Sequence, residues 1–431
     1  MLFQFSARSS LLLLFVGPGL LAALWLLGRA LRRGTAPDAL LALLLLVPTL
    51  SVARWMLGYA DWFDSHDNYS TFMFYWPWDL GLALGPAYYL YFKSLTNQEF
   101  DWRLSWHLLP GLTQALLRPL AALYDLGWYR GVRHQVLPYH FGTQGMVSKA
   151  LDALYTPLGW LALALLLGYG LRVRADYRRY RRYLNDNFSN PERLRFAGLR
   201  QLLLLQAAVL SLNLVFLALS TVIDFSYDAA WNFYALQGLL IYGLLVIGIQ
   251  ANYAAASSPL QFEATPRLAV QPVLTSPAAR LVPELELAAP SPGSDLMQPE
   301  VAAPDPTELP LPPTALPAEL HPWRDKLLVL MADERPWLEP ELTLAELAQR
   351  LRTNASLLSR VINAGCGQNF NDFVNTYRVA EARRKLADPR FAHYSLVGVA
   401  LESGFNSKST FNRVFKKLTG QAPGELTRPK S

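Results

Sequence analysis

The chain has 431 residues, 52% of them hydrophobic, with 39 Lys and Arg against 33 Asp and Glu and a single cysteine. That length excludes one small compact domain, and the lone Cys366 excludes an intrachain disulfide and fits a reducing compartment. From His321 to Ser431 there are 17 Lys and Arg against 11 Asp and Glu, so the whole formal charge of +6 sits on a C-terminal part of ordinary soluble composition. Such a placement suits a polyanionic partner.

Residues 1–253 are built differently, from long runs of Leu, Ala and aromatic residues. A bilayer core of roughly 30 Å needs about 20 mostly apolar residues per helix. Seven segments meet that need, at 9–28, 38–57, 77–95, 105–124, 151–172, 199–220 and 230–251. The fourth is the weakest, since it carries His107, Pro110, Arg118 and Pro119; without it the count drops to six. The first follows no basic leader beyond Arg8 and is read as a retained span rather than a cleaved signal.

Basic residues in short loops set the orientation. The first loop holds Arg29, Arg32 and Arg33, and the fifth holds Arg172, Arg174, Arg178, Arg179, Arg181 and Arg182. The second loop, ADWFDSHDNYS, and the sixth, TVIDFSYDAA, have aspartates and no Lys or Arg. With seven spans, the N-terminus lies outside and everything after residue 252 is cytoplasmic. Localisation in a cytoplasmic membrane follows.

Ionisable groups at membrane depth usually face a bundle interior or a cavity. Arg54, Asp79 and Asp224 are the candidates, either as ligand contacts or as structural polar contacts near the outer helix ends. The aromatic stretch YSTFMFYWPWDL reads as an interfacial belt as readily as a binding site. The run RVRADYRRYRRY reads as the positive-inside signal of loop five, with attraction to anionic lipid as a side effect. His66, His107, His134 and His140 show no metal-ligand spacing, and no nucleotide, protease or kinase motif is present. No metal, no cofactor and no catalytic residue is expected.

Residues 254–320 hold 14 of the chain's 30 prolines. Proline removes backbone donors and fixes φ, so this stretch reads as a disordered, partly polyproline linker. Its reach is on the order of 45 Å, a looseness that argues against a rigid lever between the two halves.

The remainder, 321–431, carries two helix-turn-helix patterns, at 343–363 and 395–418. In the first, Leu344, Leu347, Ala348 and Leu351 form one apolar face, and Asn354 caps a second helix. Leu358, Val361 and Ile362 of that helix point inward, leaving Ser356, Ser359, Arg360 and Asn363 outside. In the second, Ser395 caps a helix bearing Leu396, Val399 and Ala400, and Gly404 suits a turn with positive φ. Phe405, Phe411, Val414 and Phe415 are core; Lys408, Ser409, Asn412, Arg413, Lys416 and Lys417 face out. One helix joins the units, with Phe370, Phe373, Val374, Tyr377 and Leu386 inward.

This arrangement resembles the DNA-binding domain of the AraC family of bacterial regulators, most closely in GFNSKSTFNRVFKKLTGQAP. The resemblance implies recognition helices in successive major grooves, with Ser356, Ser359, Arg360, Lys408, Ser409, Asn412 and Arg413 at base- and phosphate-facing positions. Two departures are an unusual Gly398 and the sequence GELTR after Pro423, where the family has an aromatic residue and an arginine. LGPAYYLYFKSLTNQEFDWRLSWHLLPGL is similar to the third and fourth helices of multi-spanning AraC-type regulators of the Bacteroidetes kind.

The expected fold is thus all-α: a seven-helix transmembrane sensor bundle, a linker, and a double helix-turn-helix domain. The expected function is that of a one-component transcription regulator. Its partners are double-stranded DNA, the lipid bilayer, RNA polymerase, a small-molecule signal and a second copy of the chain. Two alternatives are the same regulator with a passive anchor, and a membrane transporter or enzyme with a regulatory tail.

Overall fold

The computed structural model describes residues 5–97, 100–191, 197–223, 225–250, 317–391 and 393–426. Among these residues every extended element is helical, and the only strand-like pairings are two isolated bridges, Tyr139 with Gln144 and Phe188 with Thr343. Asp224, the body of the linker and the tail from Thr427 lie outside the described residues.

The N-terminal half contains α1 (Ala7–Arg33), α2 (Ala36–Gly58), α3 (Asn68–Tyr75), α4 (Gly81–Thr96), α5 (Leu109–Ala122), α6 (Met146–Asp152), α7 (Tyr155–Asn187), α8 (Ala197–Ser220) and α9 (Tyr227–Gln250). The turn between α1 and α2 shows why the chain reverses there. Gly34 ends α1 at φ +65°, its N–H bonded to the Ala30 carbonyl, a left-handed cap that glycine takes without steric cost. The Arg29 guanidinium then donates to Asp38 at 2.7 Å across the turn, and Thr35 donates to the same carboxylate at 2.8 Å.

Five helices are long and apolar enough to cross a bilayer: Ala7–Arg33, Ala36–Gly58, Tyr155–Asn187, Gln201–Ser220 and Tyr227–Val246. Five of the seven expected spans are met by such helices; segments 77–95 and 105–124 each fall short of that length as a single helix. The first loses its opening turn: residues 77–80 are non-helical, and α4 keeps 16 residues. The second breaks into a 3₁₀ turn at Trp102–Leu108, α5 with Pro110 in its first turn, and a π-helical stretch at Leu123–Val132. The second loop also contains more than was read from it, since α3 lies there, capped by the Asp67 carboxylate.

Short as it is, α4 is the axis of the bundle. Every residue from Ala87 to Thr96 is buried. Asp79, just before α4, pairs with Arg54 near the end of α2 at 2.6 Å. Near its other end, Lys93, only 2% exposed, pairs with Asp176 of α7 at 3.0 Å. The two helices run parallel, Gly81 against Ala162 and Gly85 against Leu165. Antiparallel to them, α5 sets Gly111 on Ala83, and in the 3₁₀ turn before it His107 Nδ1 lies 2.8 Å from the Tyr169 hydroxyl.

With 33 residues, α7 is about 50 Å long, well beyond a bilayer core. Its arginine-rich last third keeps a buried stripe, Val173, Asp176, Tyr180 and Leu184, while the arginines face outward. The C-terminal domain opens earlier than 321: a 3₁₀ turn at Ala318–Leu320 buries Leu320 in its core.

Close helix approach makes a test available. A Cβ on Gly85 would lie 2.9 Å from the Leu165 carbonyl oxygen, whereas one on Gly17 would meet nothing within 4 Å. Gly85→Leu is expected to force α4 and α7 apart and cost about 1–3 kcal/mol. Gly17→Leu should leave the thermal unfolding midpoint of the nanodisc-embedded protein within a degree or two of wild type. Equal midpoints for the two variants would refute the close α4–α7 packing.

Candidate functional site

The C-terminal domain consists of α10 (His321–Asp333), α11 (Leu344–Arg350), α12 (Ala355–Cys366), α13 (Phe370–Ala387), α14 (Leu396–Glu402), α15 (Lys408–Thr419) and α16 (Pro423–Leu426). Its helix starts follow from side chains that satisfy otherwise orphaned N–H groups. Thr343 and Glu346 form a reciprocal capping box on α11. Asn354 caps α12 by accepting from the Leu357 N–H at 2.8 Å, Ser395 caps α14 at 3.1 Å, and Ser407 caps α15 at 3.2 Å.

Two cores result. Leu344, Leu347, Leu358, Val361, Ile362 and the first turns of α13 form one; Val379, Ala382, Val399, Phe405, Phe411 and Phe415 form the other. The joining helix serves both, as expected. Gly404 sits at φ +84° in the second turn, and a Cβ there would come 2.4 Å from the Trp337 carbonyl oxygen. Conformation and close approach both require glycine at that position.

The structure leaves the outward residues where the sequence put them. Ser356, Arg360 and Asn363 of α12 are exposed, and Ser359 is half-buried, accepting from Asn363 at 3.3 Å. On α15, Lys408, Ser409, Asn412, Arg413, Lys416 and Lys417 are all exposed. Lys417 pairs with Asp372 at 2.8 Å and Arg360 with Glu319 at 3.4 Å. Exposed pairs of this kind contribute little and exchange readily for a phosphate.

Arg378 is the residue that sequence reasoning missed. It is 1% exposed, on α13 between the two cores. Its Nε donates to the Trp337 carbonyl at 2.8 Å and its Nη2 to the Glu339 carbonyl at 2.6 Å. Burial pulls its guanidinium down to about 10, so it remains charged at neutral pH, held by backbone dipoles. A signal for it existed, since position 378 falls four residues after Val374 on the inward stripe of α13.

The remaining bonds of Arg378 cross to the other half of the chain. Its Nη2 donates to Ser189 Oγ at 3.2 Å and its Nη1 approaches the Ser189 carbonyl at 3.4 Å. Ser189 lies two residues past the end of α7. Its N–H donates to the Leu342 carbonyl at 3.1 Å, Phe188 bridges to Thr343, and Asn371 donates to the Ser189 carbonyl at 2.7 Å. Phe188 and Ser189 are both buried. The linker's looseness argues against a rigid lever, yet the halves also meet directly: the end of α7 clamps the domain at the junction of its two units.

In the bundle, the candidates Arg54 and Asp79 pair with each other and line a cavity of about 710 Å³. A second pair lies on its wall, Arg118 with Asp152 at 2.8 Å; the sequence offers Arg118 only as a weakness of the fourth segment and gives no sign of Asp152 as its partner. His66 and His140 come within 6.0 Å ring to ring, and among the described residues no cluster suited to a metal ion is found.

A profile of the helix-turn-helix domain family matches residues 347–429. The C-terminal region is a helix-turn-helix domain of the AraC type. The chain is similar to YtdP, an uncharacterized HTH-type transcriptional regulator of Bacillus subtilis, at 35% identity over 92 residues, 21% of this chain and 12% of that protein. It is also similar to uncharacterized HTH-type transcriptional regulators of Staphylococcus aureus strains COL and N315, each 32% identical over 83 residues, 19% of this chain and 11% of theirs. The chain thus spans only a small part of the length of these curated relatives. No solved structure matches it significantly.

The buried arginine generates a two-part prediction. Arg378→Met strands the Trp337 and Glu339 carbonyls and is expected to destabilise the isolated domain by about 2–3 kcal/mol in urea unfolding. Ser189→Pro removes the N–H that meets Leu342. In the full chain it should speed hydrogen exchange around 338–343 to the rate of the isolated domain. Unchanged exchange in that variant would mean that the clamp does not hold in solution.

Proposed function

We propose that this protein is a membrane-embedded transcription regulator that binds specific DNA through two recognition helices, α12 and α15, and is governed by its helical bundle. One observation carries the reading: a domain with both recognition faces exposed is hydrogen-bonded, through Ser189 and Arg378, to a helix long and apolar enough to cross a bilayer. A passive anchor would need no such contact, because the linker alone would tether the domain.

The roles at the DNA follow from side-chain chemistry. Arg360 and Arg413 suit guanine O6 and N7, and Asn363 and Asn412 suit adenine. Ser356, Ser359, Lys408, Ser409, Lys416 and Lys417 suit phosphate oxygens or base edges. The partners proposed with this function are double-stranded DNA, a lipid bilayer, RNA polymerase, a small-molecule signal and a second copy of the chain.

The proposed topology has the N-terminus outside and the C-terminal domain in the cytoplasm, with α4 and α5 completing seven spans. Support comes from the two ends of α4, one tied to the acidic-loop end of α2 and the other to the arginine-rich extension of α7. Those ends lie at opposite faces of the bundle, so α4 reaches from one to the other despite its length.

DNA binding is tested by mapping bound genomic fragments and measuring their affinity for the purified protein. Arg413→Ala is expected to lose about 1–3 kcal/mol of discrimination between the mapped site and scrambled DNA. Lys416→Ala should weaken both equally and flatten the salt dependence by close to one ion. A protein with no preference for any genomic site would refute the reading.

Topology is tested with reporters at residue 100 and after residue 253. Seven spans place both in the cytoplasm, whereas five place residue 100 outside. External activity after residue 253 would overturn the proposed function itself.

A further inference from the structure

The cavity between α2, α4, α5, α7, α8 and α9 has the volume of sites that take drug-sized molecules. Its two ends differ in chemistry. Where α2 and α8 finish and α4 and α7 begin, it is lined by the pairs Arg54–Asp79 and Arg118–Asp152. Toward the middle of the helices its wall is Leu84, Leu163, Leu166, Val209, Leu240 and Leu244. Gly81 and Tyr88 of α4 are seven residues apart, about 10 Å along helical backbone, which sets the scale of the passage.

Two polar atoms on this wall lack a protein partner. Tyr88 is 1% exposed, and neither its hydroxyl nor Gln237 Oε1 meets a hydrogen-bonding group among the described residues. Buried polar groups in folded proteins are paired in the great majority of cases. An orphan donor and an orphan acceptor on the wall of one cavity are the mark of a site that a bound molecule completes.

The charges select the head group. Each guanidinium at the wide end already has a carboxylate, so the four groups sum to zero. An anionic head would draw Arg54 from Asp79 and strand that carboxylate at low dielectric; a cationic head would strand the arginine. An uncharged group that both donates and accepts disturbs neither pair.

We propose that this cavity is a binding site for a single-chain, uncharged molecule polar at both ends, one hydrogen-bonding group among Arg54, Asp79, Arg118 and Asp152, an apolar body along α4, and a second hydrogen-bonding group at the Tyr88 hydroxyl and Gln237 Oε1. The proposal deepens the sensing part of the function above by naming a ligand class. Its readout is independent of DNA, so failure of either reading leaves the other standing.

The experiment uses the full chain in nanodiscs of 3:1 phosphatidylcholine and phosphatidylglycerol, titrated with radiolabelled 10-hydroxydecanamide, with empty nanodiscs subtracted. Saturable binding of one molecule per chain is expected. The 10-hydroxydecanoate anion and the 10-hydroxydecylammonium cation should bind at least tenfold more weakly, and decanamide, which lacks the distal hydroxyl, three- to tenfold more weakly. Tyr88→Phe is expected to weaken 10-hydroxydecanamide binding three- to tenfold and, by removing an orphan hydroxyl, to leave the empty protein's unfolding midpoint equal or higher. Asn213→Phe, which fills the cavity beside α8, should abolish saturation while the midpoint stays near wild type. Non-saturable uptake equal to that of empty nanodiscs overturns the site. The anion or the cation binding as tightly as the amide overturns the head-group assignment. Binding unaffected by both substitutions places the probe elsewhere and overturns the proposal as well.

Discussion

A guanidinium without a carboxylate holds the two halves of this protein in register. Arg378 sits between the cores of the two helix-turn-helix units and spends its donors on carbonyls from the turn before α11 and from the end of α7. Burying a full charge against dipoles alone is costly, which is why burial draws its affinity for a proton down to about 10. The cost is offset because a planar fork of five donors can satisfy several backbone acceptors at once, a geometry that lysine cannot reproduce. The turn glycine at 404 and the α7 terminus close over the same side chain. Repositioning any one of these elements would leave the others with unpaired polar groups.

The bundle applies the same logic with ion pairs. Arg29–Asp38, Arg54–Asp79, Lys93–Asp176 and Arg118–Asp152 each join different helices or the approaches to them. Where water is scarce, a charge is tolerated only with its counterpart in place, so these pairs fix the register of helices whose apolar surfaces could otherwise slide. Glycines 81, 85 and 111 then let α4 approach its neighbours closely. Packing sets the distance between helices, and charge sets their rotation and depth.

The caps, the inward stripes and the exposed cations of the helix-turn-helix half were legible in the sequence, because each depends on residues within one helical turn of one another. Asn354, Ser395 and Gly404 behave as their local chemistry dictates. The pairing of Arg54 with Asp79 was legible only as two separate ionisable residues, since nothing in the chain states which approaches which. Segment 77–95 misled because hydropathy counts apolar residues without asking whether their backbone is helical, and Pro77 delays the start of α4. The clamp was illegible for a related reason: Ser189 and Arg378 are 189 positions apart, and the arginines just before Ser189 have an adequate explanation as a topology signal. Local rules describe elements well, but contacts between remote elements need coordinates.

The chain between Gln250 and Pro317 also alters how strong the clamp has to be. A tether converts docking into an intramolecular event, with an effective concentration on the order of millimolar for a linker of moderate length. A contact that would bind only at about millimolar Kd between free molecules would then be closed roughly half the time. The handful of hydrogen bonds around Ser189 falls in that range. Near such a midpoint, a change of about 1.4 kcal/mol anywhere along α4 or α7 moves the open-to-closed ratio tenfold. Cutting the tether would shift the same balance by dilution alone, emptying the clamp while leaving every residue in it intact.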